Sequence, residues 1–287
     1  MTYLHDEIAS QPEVWARTLD MSVSGLPTPG ERVAVIGCGT SYYMAQAYAA
    51  LREVAGHGET DAFPASEFPA ARPYDRVVAL CRSGTTTEVL AALGRSTAPT
   101  VALTGDPATP VTDVAGTVIA LDFADDRSVV MTRFATSVLV LLRASLGESL
   151  AGLPAEAERA LATPLAPELL AAEQVTFLGT GWTFGLANEA ALKLREAAQT
   201  WTESYHAMEY RHGPISIAAP GRAVWVLGPV PDGLAEQVRA TGAYLERSDG
   251  DPLASLVRVH RLAEARAEAR GLNPDQPRAL TRSVILA

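Results

Sequence analysis

The chain has 287 residues and a formal net charge of −10 at pH 7, with 48% hydrophobic and 20% charged residues. That length fits one large α/β domain or two smaller ones, and the hydrophobic fraction supports a full core. The acidic balance argues against a nucleic-acid partner, and Arg143 interrupts the longest apolar run, residues 138–142, well before it reaches the length of a membrane span. Two cysteines, Cys38 and Cys81, make no disulfide or metal framework. The five histidines are scattered without metal-ligand spacing. No metal and no cofactor is therefore expected. The N-terminus lacks a basic-then-apolar leader, so a cytoplasmic location is expected.

Residues 5–20 carry apolar side chains at helical spacing (Ile8, Val14, Trp15, Leu19), with Pro12 near a break. Residues 25–30 are a Gly- and Pro-rich loop. Residues 32–37 read as a short, fully buried strand that runs into Gly37-Cys38-Gly39-Thr40-Ser41. A helix follows from Tyr42 to about Ala55, then a second strand over 61–66. The strand pattern returns at 76–80 and ends in Cys81-Arg82-Ser83-Gly84-Thr85-Thr86-Thr87, with a helix through Leu93. Further strands are expected at 99–104 and 117–121, and a strongly apolar core helix at 134–146. This alternation marks a parallel, doubly wound sheet.

Residues 149–173 are rich in Ala, Leu and Pro and read as a boundary region with one or two helices. The pattern then restarts. Residues 174–179 are a strand, Gly179 to Thr183 a loop, and a helix carries Lys193 and Glu196. A strand over 222–227, a helix over 234–245, a short strand at 256–259 and an extended tail from Gly271 complete the chain. Both halves start with an apolar strand, a Gly-x-Gly loop and a helix, which indicates internal duplication. Two tandem sheets are expected, because the boundary region is long for an internal connection.

The loops after the first and third strands are crowded with hydroxyls: Thr40 and Ser41 in one, Ser83, Thr85, Thr86 and Thr87 in the other. Each precedes a helix, whose free N–H groups and positive dipole end suit an anion. Arg82 adds a guanidinium that can grip phosphate with two bonds. The dinucleotide fingerprint is incomplete, with Tyr42 and Phe184 where its third glycine belongs, and no Walker Gly-Lys-Ser/Thr occurs. The same hydroxyls would equally serve as helix caps. Cys38 and Cys81 read as small packing residues.

Glu189, Lys193 and Glu196 are spaced four and three apart and so share one helical face. Among Ala190, Ala191, Leu192 and Leu194, their pKa values are candidates for the shifts that acid–base chemistry needs. His212, beside Gly213-Pro214, is a candidate proton carrier. A helical ion pair with a surface histidine would leave the same pattern.

Together, Cys38-Gly39-Thr40-Ser41, Ser83-Gly84-Thr85-Thr86, the helix from Glu189 to Glu196, His212-Gly213-Pro214 and the tail from Asp275 to Val284 resemble the isomerase half of glucosamine-6-phosphate synthase, built from two sugar isomerase (SIS) domains. Five motifs in the same order cover nearly the whole chain. The resemblance implies two tandem α/β SIS domains, each a flavodoxin-like three-layer α/β/α unit. The N-terminal helix and first domain would occupy 1–150, the second 151–270, and a tail over 271–287 would close the site. It implies phosphosugar isomerase or deaminase chemistry on an amino-sugar or hexose 6-phosphate. Glu196 would shuttle a proton between C1 and C2, with Lys193 assisting. His212 would open the sugar ring, reaching in from the other subunit of a homodimer. Cys38, Gly39, Thr40, Ser41, Cys81, Arg82, Ser83, Thr86, Val129 and Thr281 would bind the sugar and its phosphate. Where the family has a Schiff-base lysine this chain has Arg282, which is no amine nucleophile and is expected to hold the sugar instead. With no glutaminase domain and Thr2 in place of cysteine, no glutamine amidotransferase activity is expected. A deglycase of a glycated amino acid 6-phosphate and a non-catalytic phosphosugar-binding regulator are the alternatives.

Overall fold

A computed structural model describes residues 2–286. Two short helices, α1 (Tyr3–Ala9) and α2 (Gln11–Leu19), meet at Ser10, and Pro12 sits in the first turn of α2, where its missing N–H breaks no helical bond. The first half continues with β1 (Val33–Gly37), α3 (Thr40–Val54), β2 (Thr60–Pro64), β3 (Arg76–Leu80), α4 (Thr87–Arg95), β4 (Thr100–Thr104), α5 (Val111–Val114) and β5 (Thr117–Ala120). Helices α6 (Arg133–Ser145), α7 (Leu153–Ala162) and α8 (Pro167–Ala171) lead to the second half. That half holds β6 (Gln174–Gly179), α9 (Thr183–Ala198), β7 (Trp201–His206), β8 (Arg222–Leu227), α10 (Leu234–Ala240), β9 (Tyr244–Arg247) and α11 (Pro252–Ala269). Residues 270–286 form neither helix nor strand.

The strands make two parallel sheets, ordered β2-β1-β3-β4-β5 and β7-β6-β8-β9. Every residue of β1 and β6 is buried, which is why those strands read as unbroken apolar runs rather than alternating ones. Chain order reverses between β1 and β3 and again between β6 and β8, so each sheet has a switch point at which the strand ends leave a crevice. The shared glycine of the two halves has a packing cause. A Cβ on Gly37 would lie 2.7 Å from the Ser41 carbonyl carbon, and one on Gly179 would lie 2.3 Å from the Thr183 carbonyl oxygen. Only glycine lets the following helix start so close to its strand.

One hydrophobic cluster joins the two halves, from Val35 on β1 through Met44 and Tyr48 on α3 and Leu186 and Leu194 on α9 to Phe177 on β6. Helix α9 crosses α3 in backbone contact, since a Cβ on Gly185 would sit 2.5 Å from the Tyr43 carbonyl oxygen. This crossing brings the polar face of α9, from the second half, to the strand ends of the first.

Three local expectations differ from the structure. Residues 201–206 form β7, whose Trp-Thr-Glu-Ser-Tyr-His run gives no apolar signal because it is an edge strand with Trp201 exposed. The stretch 256–259 lies inside α11, where Leu253, Leu256, Val257 and Leu262 are all buried, so the helix is covered on more than one side. The helix expected over 234–245 ends at Ala240, and 244–247 pair with β8 as β9.

Candidate active site

The chain leaves β1 at Cys38 and β3 at Cys81, and the two loops face each other over the first switch point. Between them lies a cleft of about 240 Å³. It is lined by Cys38, Gly39, Thr40 and Ser41 from one loop, by Cys81, Arg82, Ser83 and Thr86 from the other, by Val129 from the segment before α6, by Lys193 and Glu196 from α9, and by Thr281 and Arg282 from the tail. Five distant segments of sequence thus converge on one cavity. His212 does not join them; it is exposed on a short turn, Glu209–His212, outside the cleft.

The loop hydroxyls are not caps. Helices α3 and α4 both begin without a side-chain cap bond, which leaves their first N–H groups for other acceptors. The Thr87 N–H of α4 donates to the Val284 carbonyl of the tail at 3.1 Å. Ser83 Oγ accepts from the Thr85 N–H at 3.3 Å and lies 3.4 Å from Thr86 Oγ1, so the loop folds its hydroxyls inward on one another.

Lys193 is the electrostatic centre. Its Nζ lies 2.6 Å from Glu196 Oε2 and 3.4 Å from Glu189 Oε1, and it donates to Thr40 Oγ1 at 2.9 Å. Thr40 in turn donates to Glu189 at 3.3 Å, tying the start of α3 to α9. The side chains of Lys193 and Glu189 are each 1% exposed, whereas that of Glu196 is 19% exposed and faces the cleft. Burial pushes the Glu189 carboxyl up to about 7, against the pull of Lys193. Burial also works against the charge on Lys193, but the Glu189 and Glu196 carboxylates outweigh it and hold the ammonium up. The result is a fixed buried cation beside a reachable carboxylate.

Two arginines differ from the sequence reading. Arg82 is buried, and its terminal nitrogens donate to the carbonyls of Ser128 at 2.9 Å, Val129 at 3.4 Å and Arg282 at 3.0 Å. These bonds stitch the anion loop to the 128–129 segment and to the tail, in place of the two-bond grip on phosphate that its residue type suggests. Arg282 lines the cleft, but its guanidinium turns to Asp125, with Nη2 2.7 Å from each carboxylate oxygen, and donates to the Asp126 carbonyl. Burial pushes the Asp125 carboxyl up, and Arg282 draws it back down. Ser283 Oγ lies 2.8 Å from Thr85 Oγ1, and the Leu286 N–H donates to Thr87 Oγ1 at 2.9 Å. The tail is thus laid across the cleft by polar contacts. A half-exposed ion pair contributes on the order of 1 kcal/mol. Arg282→Ala should therefore open the tail about fivefold more often, read as faster proteolytic clipping within 277–286. An unchanged clipping rate would show that Asp125 does not latch the tail.

Two supporting acids, Asp275 and Glu7, carried no assigned role in the sequence. The Asp275 carboxylate accepts the Tyr3 and Leu4 N–H groups at 2.8 and 2.9 Å, and its carbonyl accepts the Val129 N–H at 3.3 Å. Glu7, buried, accepts the Ser128 N–H at 3.1 Å and bonds its hydroxyl. Burial, and then Asp126, push the Glu7 carboxyl up.

No family model matches the sequence. The chain is 28% identical over 354 aligned residues to glutamine–fructose-6-phosphate aminotransferase (isomerizing) of Caulobacter vibrioides, covering 98% of this chain and 58% of that protein. The chain spans about half the length of the curated relatives it matches. Its fold matches a solved glucosamine-6-phosphate deaminase from Thermotoga maritima with a TM-score of 0.81 at 24% identity, over 99% of this chain and 100% of the other. A solved putative phosphosugar isomerase from Silicibacter pomeroyi gives a TM-score of 0.80 at 26% identity, over 96% of this chain and 100% of the other. With two parallel sheets in tandem and the motifs of the strand ends and α9 in place, the chain resembles the isomerase half of its aminotransferase relatives, which is built from two sugar isomerase (SIS) domains.

Proposed function

We propose that this protein is a cytoplasmic phosphosugar isomerase or deaminase that moves a proton between C1 and C2 of an amino-sugar or hexose 6-phosphate. One observation carries the reading: the partly exposed Glu196 carboxylate and the buried Lys193 ammonium, 2.6 Å apart, line the same cleft as the hydroxyl loops at the strand ends. The phosphate docks against Ser83, Thr86 and the starts of α3 and α4, where N–H groups and dipoles favour an anion. The sugar then extends toward Glu196. One carboxylate placed across two adjacent carbons takes the proton from one and returns it to the other. The enediolate between them needs fixed positive charge, which Lys193 supplies without reorganising.

The aminotransferase and deaminase relatives support a substrate that carries nitrogen at C2. A second reading, deglycation of an amino acid linked to the sugar phosphate, draws on an adjoining groove of about 600 Å³. That groove shares Glu196 and Leu280 with the cleft and offers Arg195 and Arg278 to a carboxylate. Incubation with hexose, hexosamine and glycated amino acid 6-phosphates, monitoring ketose, ammonia and amino acid release, separates the readings. No turnover of any of them, with phosphosugar binding intact, would favour a binding protein instead.

His212 does not line the cleft of its own chain, so its proposed ring-opening role calls for a second subunit. Glu196→Gln and His212→Asn chains, each inactive alone, would be unfolded together and refolded. Activity should return to about a quarter of the wild-type value, because half the dimers are mixed and one of their two sites holds both intact residues. No recovery, with mixed dimers seen by native mass spectrometry, would remove His212 from a shared site.

A further inference from the structure

Cys38 and Cys81 both line the cleft, and the chemistry above uses neither thiol. Ile36 pairs with Ala79, the last pair of the parallel β1–β3 register, and Cys38 and Cys81 each lie two residues further on, just past the strand ends. In-register residues of neighbouring strands project to the same face. Accordingly, Ile36, Ala79 and Cys81 belong to one buried cluster, with Cys38 packed against it. Adjacent strands lie about 4.8 Å apart, within the Cα separation of about 4.4–6.8 Å that a disulfide spans. Both cysteines are free, and both line the cleft.

The surroundings hold the Cys38 thiol protonated at rest. Burial, and then the Glu88 carboxylate, push the Cys38 thiol up to about 11. One Glu88 oxygen is buried without a hydrogen-bond partner. A thiol held protonated is a slow nucleophile.

We propose that Cys38 and Cys81 form a dithiol modification site, which an oxidant of the peroxide class converts to a disulfide that shuts the anion end of the cleft. One thiolate attacks a peroxide oxygen, the O–O bond breaks, and a sulfenic acid and water result. The second thiol attacks the sulfenic sulfur, the S–S bond forms, and the hydroxyl leaves as water with the thiol proton. Two thiols thereby give two hydrogens and two electrons to one peroxide, which becomes two waters. The bridge ties together the first residues of the two loops that cradle the anion and takes up the space between them. The closure rests on the phosphosugar reading; the bridge rests on the strand register alone.

The test is to treat the reduced protein with hydrogen peroxide, quench, denature and alkylate. The expected product has lost two hydrogens and takes no alkyl label. It yields a digest peptide joining Cys38 to Cys81 and is restored by dithiothreitol. Phenylarsine oxide, which needs two neighbouring thiols, should add once to the untreated wild type and not at all to Cys38→Ser or Cys81→Ser. This arm reads the juxtaposition in the native protein even if a variant folds poorly. Inorganic phosphate at roughly ten times its dissociation constant should slow bridging about tenfold. Separate sulfinic or mixed-disulfide products on each cysteine, or a bridge between chains, would overturn the site. A bridged protein that binds phosphate and fructose 6-phosphate as well as the reduced one would overturn the closure. If the reduced protein binds neither, the phosphosugar reading fails, while the dithiol is judged on its mass and its arsenical adduct.

Discussion

Glu196→Gln is expected to cut turnover of the preferred phosphosugar by about 100- to 10,000-fold, the range for removing a general base, while binding stays within about tenfold. Two carboxylates flank Lys193, and their exposure separates them. Glu189 is sealed, with its side chain 1% exposed, and no substrate carbon can reach it; Glu196 is 19% exposed and lines the cleft. Glutamine preserves the shape and still accepts a hydrogen bond from Lys193 Nζ, so the sugar and phosphate contacts remain. What it loses is the capacity to hold a proton between C1 and C2. Solvent deuterium should therefore enter C1 or C2 with wild type and not with the variant. Turnover above a tenth of the wild-type value, or deuterium exchange that survives the substitution, would take the base role away from Glu196.

Sequence reasoning reached the fold where burial leaves a one-dimensional trace. β1 and β6 are buried on both faces, so Val-Ala-Val-Ile-Gly and Gln-Val-Thr-Phe-Leu-Gly stand out as runs. β7 lies at a sheet edge and its polar residues hide it, while Leu256 to Val259 resemble a strand until the length of α11 is known. The cleft divides in the same way. Glycine spacing and helix periodicity bring out the two loops and the α9 face, because local geometry dictates both. The tail's position comes from motif resemblance alone, since nothing in an irregular segment records where it docks. The fate of the arginines was hidden for a related reason. Arg82 bonds the carbonyl of Arg282, 200 positions away, and Arg282 pairs with Asp125, 157 positions away. A guanidinium advertises affinity for any oxygen, and the sequence alone does not distinguish a phosphate from a carbonyl or a carboxylate.

Lys193→Met is expected to destabilise the fold by about 3–5 kcal/mol near neutral pH, the usual result of leaving a buried charge without its partner. Methionine keeps much of the volume, so the loss is electrostatic rather than a cavity effect. Glu189 is the group left exposed to that cost, being fully buried and having Thr40 as its other side-chain partner. The pH dependence gives the cause away. Burial raises the Glu189 carboxyl from 4.5 to about 7 even with the lysine present. The folded state thus keeps a proton that the unfolded chain has already lost, and this group's contribution to stability falls as pH rises through that window. Without the cation the carboxyl is pushed higher still and the window widens. The deficit of Lys193→Met should then be small near pH 5, where Glu189 is neutral, and large near about pH 8. Adding Glu189→Gln should recover most of the deficit at the higher pH, because no carboxylate remains to be buried unpaired. Urea unfolding of the wild type, the single variant and the double variant at both pH values measures this directly. Equal deficits at the two pH values, or no recovery in the double variant, would mean that Lys193 stabilises the fold through its packing, and that the buried ion pair is not what holds α9 in register with the start of α3.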